Sequence, residues 1–303
     1  MIIGLFPGQG AQTPGFLSPW LELDGISDRI GQYGEAAGVD LIAAGTTWDA
    51  NAIRDTSIAQ PLIVAASIAS WHALGAHRPG GVAGHSVGEI AALVAAGVLT
   101  EEDGMRLVGV RGRAMAQAAA AVPTGMSAVL GGDEPAVLAA LTEQDLTPAN
   151  FNGGGQIVAA GTLDALAALA AQPPAGSRVI PLQVAGAFHT RFMEPAVAAL
   201  AAAVSGTPVT DPARTLWSNS DGSVVADGRT AVDLLVGQVA RPVRWDLCMT
   251  SFADHGVSGI IEFAPAGTLV GLAKRALKGV PSVAVKTPDD LAAARDLLAG
   301  ADQ

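Results

Sequence analysis

The chain opens on an unbroken apolar run, Ile2 to Phe6, closed by Pro7-Gly8-Gln9-Gly10. A short continuous run ended by turn residues predicts a buried strand and a tight turn. Thr56 can cap a helix that carries Pro61 in its first turn or just beyond. Val82-Ala83-Gly84 then predicts a brief strand before a sharp turn at His85-Ser86, with a helix from Val87 to Val98. Thr100 followed by Asp103 predicts a capping-box-like start for the next helix, Glu101 to about Ala121.

The rhythm changes near Gly125. Met126 to Leu130 predicts a strand, Glu134 to Glu143 a helix, and Asn150 to Asn152 and Gln156 to Ala160 two strands around Gly153-Gly154-Gly155. Leu163 to Ala171 (helix) and Arg178 to Val184 (strand) complete a β-α-β-β-α-β order, the split pattern of ferredoxin-like subdomains. Strand and helix then alternate again through Thr215 to Ser218, Ala231 to Val239, Gly259 to Phe263, Thr268 to Leu277, Ser282 to Lys286 and Leu291 to Leu298. Alternation of this kind predicts an α/β fold with a mostly parallel sheet covered by helices. The expected domains are therefore 1–123 and 188–303, forming one large α/β domain, and 124–187, an inserted small one.

Composition narrows the class. At 303 residues the area-scaling rule predicts a folded surface of roughly 12,000 Å², with about 73% of the unfolded surface buried. Charged residues make up 15% and the net charge is -11, which excludes a surface built to neutralise nucleic-acid phosphates. The single cysteine, Cys248, cannot form an internal disulfide and reads as a reduced core residue. Met1 to Gly10 has no basic region, and the most apolar stretch, Ile58 to Leu74, is interrupted by Gln60, Pro61, Trp71 and His72. A soluble, cytoplasmic, monomeric protein with no membrane contact is expected.

The candidate chemistry begins at Gly84-His85-Ser86-Val87-Gly88. This fits the G-x-S-x-G nucleophile elbow and lies between a predicted strand and a predicted helix, as that motif requires. Glycines two positions either side of the serine permit a strained turn and let helix and strand approach. A serine needs an adjacent base, for which histidine has the right proton affinity. His72 and His77 fall in or near a helix and His255 in a polar loop, whereas His189 follows a predicted strand through Ala185-Gly186-Ala187-Phe188, where α/β folds place their sites. His85 reads as a packed neighbour of the nucleophile.

Arg111 sits at the centre of a helical stripe made by Leu107, Val108, Ala114, Met115 and Ala118, with Arg106 and Arg113 opposite. A guanidinium aimed into an apolar face stays charged and needs an anion. That anion is either a buried Asp or Glu or a substrate carboxylate. Gly8-Gln9-Gly10 reads as an ordinary turn whose backbone N–H groups can also converge on negative charge. No P-loop, dinucleotide fingerprint, HExxH or Cys/His cluster is present, so neither a metal nor a nucleotide cofactor is expected.

Taken with Gly8-Gln9-Gly10-Ala11-Gln12, Gly84-His85-Ser86-Val87-Gly88-Glu89, Arg111-Gly112-Arg113-Ala114-Met115 and Gly186-Ala187-Phe188-His189, the chain resembles the malonyl-CoA:acyl carrier protein transacylase family over nearly its whole length. Asn150 to Gly161, Gln238 to Trp245 and Gly267 to Arg275 are similar in content and order. The resemblance implies a large α/β-hydrolase-like domain carrying a ferredoxin-like insert. It implies malonyl transfer from malonyl-CoA to the phosphopantetheine thiol of acyl carrier protein, supplying fatty acid or polyketide synthesis, with no cofactor.

By the same resemblance, Ser86 is the nucleophile and His189 the base, oriented by the main-chain carbonyl of Gln238. The oxyanion donors are the N–H groups of Gln9 and Val87, and Arg111 pairs with the malonyl carboxylate. Met115 and Asn152 line the cavity, and Phe188 goes with malonyl over bulkier groups. Ala11 and Val87 stand where serine and leucine are commoner, and Phe263-Ala264-Pro265-Ala266-Gly267 replaces a more glycine-rich turn. Because the implied carrier is acidic, Arg191, Lys274 and Arg275 are the expected docking patch. The rivals are a hydrolase, which would orient histidine with a carboxylate such as Asp133, Asp145 or Asp164, and a docking module without turnover.

Overall fold

The computed structural model describes residues 1–301. Its first sheet contains β1 (Ile2–Phe6), β2 (Gly81–Gly84), β7 (Thr215–Trp217), β9 (Gly259–Glu262) and β10 (Ser282–Ala284) in the order β10-β9-β1-β2-β7, with every pairing parallel. All five residues of β1 are buried, as expected for a central strand covered by helices on both faces. Register pairs Phe6 with Gly84, so the loops after β1 and β2 leave the sheet side by side. The total exposed surface is 11921 Å², close to the area-scaling value.

The helix Thr56–Leu74 forms the middle of the core. It is long and apolar enough to cross a membrane, yet most of it is buried inside the protein. Its cap is Asp55, not Thr56: the Asp55 carboxylate accepts from the Ser57 N–H at 2.8 Å. The helix Glu101–Ala121 starts as expected, with the Thr100 hydroxyl accepting from the Asp103 N–H at 3.0 Å. It packs on Thr56–Leu74, Ile26–Ala37 and Glu194–Ser205.

The second sheet joins β3 (Thr124–Gly131), β4 (Thr147–Gly153), β5 (Gln156–Thr162), β6 (Ser177–Pro181) and β8 (Val243–Arg244) in the order β6-β3-β5-β4-β8. The first four pair antiparallel, with two helices, Glu134–Glu143 and Leu163–Ala171, on one face. This is the ferredoxin-like arrangement. Strand alternation sends Val129, Ile157 and Ala159 to a small core with those helices, and Met126, Val158 and Ala160 to the main core.

Three differences from the sequence reading have local causes. The last strand of this unit ends at Pro181 rather than Val184, because after one more bond to β3, from the Leu182 N–H to the Met126 carbonyl, the chain turns away through Val184 N–H to the Leu182 carbonyl and Phe188 N–H to the Gly186 carbonyl, with Ala187 N–H held by Thr124 Oγ1. β8 has only two residues, too few for any periodicity, and pairs parallel with β4. The helix expected from Ala231 begins at Gly228, since Asp227 caps it through the Thr230 N–H at 2.6 Å.

The loop Phe263–Gly267 is organised by Glu262 at the end of β9, which is fully buried. Its carboxylate accepts from the N–H groups of Gly267, Leu269 and Val270, each at 2.9 Å. A negative group at a helix N-terminus satisfies donors that have no partner within the helix. The helix so anchored, Thr268–Ala276, forms one wall of the cleft described next.

Candidate active site

A cleft of about 330 Å³ opens between the two sheets at the carboxyl ends of β1 and β2, where open α/β sheets bind ligands. Its lining includes Gln9, Ser86, Asn152, Phe188, His189 and Arg275. Ser86 sits at φ 54°, the left-handed conformation of a strained strand-to-helix turn. The flanking glycines are what allow it. A Cβ on Gly84 would lie 2.0 Å from the Gly88 carbonyl, and one on Gly88 would lie 2.2 Å from the Phe6 oxygen. Gly88→Ala is therefore expected to cost at least about 3 kcal/mol, measured as the loss of urea-unfolding free energy. A wild-type midpoint would show that the helix shifts freely and that close packing is not required.

His189, 4% exposed and at φ 61°, places Nε2 2.8 Å from Ser86 Oγ and Nδ1 2.8 Å from the Gln238 carbonyl oxygen. Burial, reinforced by the nearby Arg111 charge, pushes its pKa down to about 3, so the ring is neutral, with Nδ1 at the Gln238 carbonyl and Nε2 at the Ser86 hydroxyl. Asp133 caps a helix and Asp145 pairs with Arg191, so His189 is oriented by a carbonyl and not by either carboxylate. His85 instead hydrogen-bonds Asn152 Oδ1 through Nε2 at 2.9 Å and lies edge-on to Trp245. His72 pairs with Glu101, and His255 bonds back to the Ser251 carbonyl.

Arg111 is 1% exposed. Nη1 donates to Gln60 Oε1 at 2.7 Å, and Nη2 to Gln238 Oε1 at 2.9 Å and toward Ser86 Oγ at 3.4 Å. Among the described residues no carboxylate is within ion-pair distance of it, and its Nε–H has no partner. Burial lowers its pKa to about 10, with Glu89 opposing. The sequence left open whether Arg111 has a protein carboxylate or a substrate carboxylate; its direct partners are neutral amides.

The other expected site residues divide. Gln9 lines the cleft, and Val87 follows Ser86 directly as the residue before the helix Gly88–Ala96. Phe188 and Asn152 line the cleft. Met115 does not; it is buried behind Gln60, whose amide donates to its sulfur at 3.4 Å. Arg275 reaches Gln156 at the cleft rim, whereas Arg191 is engaged by Asp145 in a two-bond pair at 3.1 and 2.5 Å. Cys248 is buried and donates to the Ser218 carbonyl.

Sequence reasoning missed three side chains. Gln60 was visible only as an interruption of an apolar helix. Glu89 is the sole charged side chain of the helix Gly88–Ala96, a signal in plain view. Asn219 had none, since only folding brings its Oδ1 2.8 Å from the Ser86 N–H.

A serine hydroxyl bonded to a neutral, carbonyl-anchored imidazole can carry out nucleophilic acyl transfer. Residues 5–288 match the family described as acyl transferase domain, the class that this fold and site already define. The malonyl CoA-acyl carrier protein transacylase of Mycobacterium tuberculosis is 54% identical over 296 residues, covering 96% of this chain and 98% of that protein. The Escherichia coli protein of the same name is 33% identical over 303 residues, covering 97% and 98%. The crystal structure of the Mycobacterium tuberculosis protein superposes with a TM-score of 0.92 at 53% identity, covering 96% and 98%. A malonyl-transacylase in complex with a type II polyketide acyl-carrier protein gives a TM-score of 0.89 at 30% identity, covering 97% and 98%. The chain belongs to the malonyl CoA-acyl carrier protein transacylase family.

Proposed function

We propose that this protein transfers malonyl from malonyl-CoA to the phosphopantetheine thiol of an acyl carrier protein, through an ester on Ser86, and so supplies fatty acid or polyketide synthesis. The observation that carries the reading is the buried Arg111 guanidinium, hydrogen-bonded only to neutral groups and 3.4 Å from Ser86 Oγ. A cation so placed fits an acyl group that brings its own carboxylate.

In the first step Ser86 Oγ attacks the thioester carbonyl and passes its proton to His189 Nε2. The Gln9 and Val87 N–H groups hold the oxyanion. The C–S bond then breaks, and the His189 proton goes to the CoA sulfur. The carrier thiol reverses these steps. A carbonyl at Nδ1 stabilises imidazolium less than a carboxylate does, and a thiolate leaves without a strong acid, so the two features match. Pinning the acyl tail through Arg111, beside Phe188, holds the ester in the geometry of transfer. Asn152 and, through Gln60, Met115 complete the surroundings of the acyl group.

We assign 124–187 as the small domain and 1–123 with 188–303 as the large one, with the site between them, in a soluble, cytoplasmic protein that needs no cofactor. The deciding experiment supplies malonyl-CoA with and without carrier protein and compares transfer with hydrolysis. Predominant transfer supports the reading, and predominant hydrolysis would replace it with a thioesterase.

The carrier is expected to meet the rim at Arg275 and Lys274, with Arg191 contributing less because Asp145 already offsets its charge. Rim charges act chiefly on association rate. Arg275→Glu with Lys274→Glu should lower the carrier-dependent rate about 10-fold at low salt and flatten its salt dependence, a larger loss than that of Ser86 malonylation, which Arg275 also touches as part of the cleft lining. An unaltered salt slope removes this patch from the docking surface.

A further inference from the structure

Glu89 is 6% exposed, and the acyl-transfer steps above make no use of it. One of its oxygens, Oε1, accepts from the Asn219 N–H at 2.6 Å, and the other, Oε2, accepts from Gln238 Nε2 at 2.5 Å. Asn219 in turn accepts from the Ser86 N–H at 2.8 Å and donates to the Gly84 carbonyl at 2.7 Å. A single carboxylate thus joins the elbow, the loop after β7 and the C-terminal end of the helix Gly228–Gln238. A buried carboxylate costs free energy unless its contacts require it.

The contacts of Gln238 show what it accomplishes. Its Nε2 faces acceptors alone: Glu89, the Ser86 carbonyl at 3.2 Å and Asn219 Oδ1 at 3.3 Å. Its Oε1 faces the Arg111 guanidinium at 2.9 Å. An amide has one donor end and one acceptor end, so turning it over would oppose donors on one side and acceptors on the other. We propose that Glu89 is a positioning residue whose carboxylate fixes the direction of the Gln238 amide, presenting Oε1 to Arg111 and holding the guanidinium toward the acyl tail. The inference rests on the reading of Arg111 as partner of the malonyl carboxylate.

Glu89→Gln tests this sharply. The Asn219 N–H belongs to the backbone and cannot turn, so the oxygen of the substituted amide must face it. The nitrogen then faces Gln238, which must turn its Oε1 to meet it and so bring Nε2 against Arg111. Selectivity, not folding alone, is the quantity that changes. The measurement is kcat/KM for malonyl-CoA relative to acetyl-CoA in wild type, Glu89→Gln, Gln238→Met and the double variant, with melting temperatures.

Each single change should lower that ratio about 10-fold or more, mainly through KM for malonyl-CoA. The double variant should lose no more than Gln238→Met alone, because both act through one amide. A folded Glu89→Gln protein with the wild-type ratio overturns the inference, as does an additive double variant. If Glu89→Gln does not fold, Gln238→Met decides: a lowered ratio supports the inference and a wild-type ratio overturns it. Arg111→Ala is measured alongside. An unchanged ratio there overturns the underlying reading of Arg111, whereas a ratio lost in Arg111→Ala but kept in Glu89→Gln overturns this inference alone.

Discussion

Ser86→Ala is expected to abolish the malonyl mass adduct that malonyl-CoA leaves on the wild-type protein and to lower transfer by at least about 10,000-fold. The hydroxyl is the atom that the site is arranged around: His189 Nε2 lies 2.8 Å away and Arg111 Nη2 3.4 Å. Alanine keeps the Ser86 N–H that donates to Asn219, so the elbow retains its anchor and the loss is chemical. Peptide mapping by mass spectrometry locates the adduct. An adduct that persists in Ser86→Ala, with normal turnover, would place the nucleophile elsewhere. His189→Ala should be comparably impaired, while Gln238→Met should retain the base, because the Nδ1 acceptor is a main-chain carbonyl that no side-chain substitution deletes.

The second large effect concerns selectivity. Two charge-assisted hydrogen bonds from Arg111 to a carboxylate, at about 1.5 to 3 kcal/mol each before losses, leave a net of about 2 to 4 kcal/mol, or roughly 30-fold to 1000-fold. Acetyl-CoA brings no anion. Arg111→Ala should therefore lower kcat/KM for malonyl-CoA by about that factor and leave acetyl transfer similar or improved. Arg111→Lys should recover only part, since an ammonium lacks the planar fork that bonds Gln60 and Gln238 together. Arg106 and Arg113 are the controls. Arg106 is held by Asp103 and Thr207, and Arg113 by the Ala37 carbonyl, so their alanine variants should barely alter the malonyl-to-acetyl ratio. Equal loss of both substrates in Arg111→Ala, with a lowered melting temperature, would make Arg111 a structural residue.

The fold class, the inserted β-α-β-β-α-β unit, the elbow at Ser86 and the burial of Arg111 were legible in the sequence. Each is a local property: period-2 and period-3.6 patterning, turn glycines and one charge on an apolar helical face are written within a few turns of chain. His189 stood out by its place after a predicted strand, but its pairing with Ser86 and the Gln238 carbonyl came from family resemblance, because no spacing connects them. Only the tertiary structure decided that the direct partners of Arg111 are Gln60 and Gln238, that Met115 lies behind Gln60 rather than in the cleft wall, and that Glu89 and Asn219 tie the elbow to Gln238. The reason is that a buried amide or carboxylate is satisfied by whatever donors and acceptors folding brings within about 3 Å. Those partners lie on chain segments whose sequence separation carries no periodic signal.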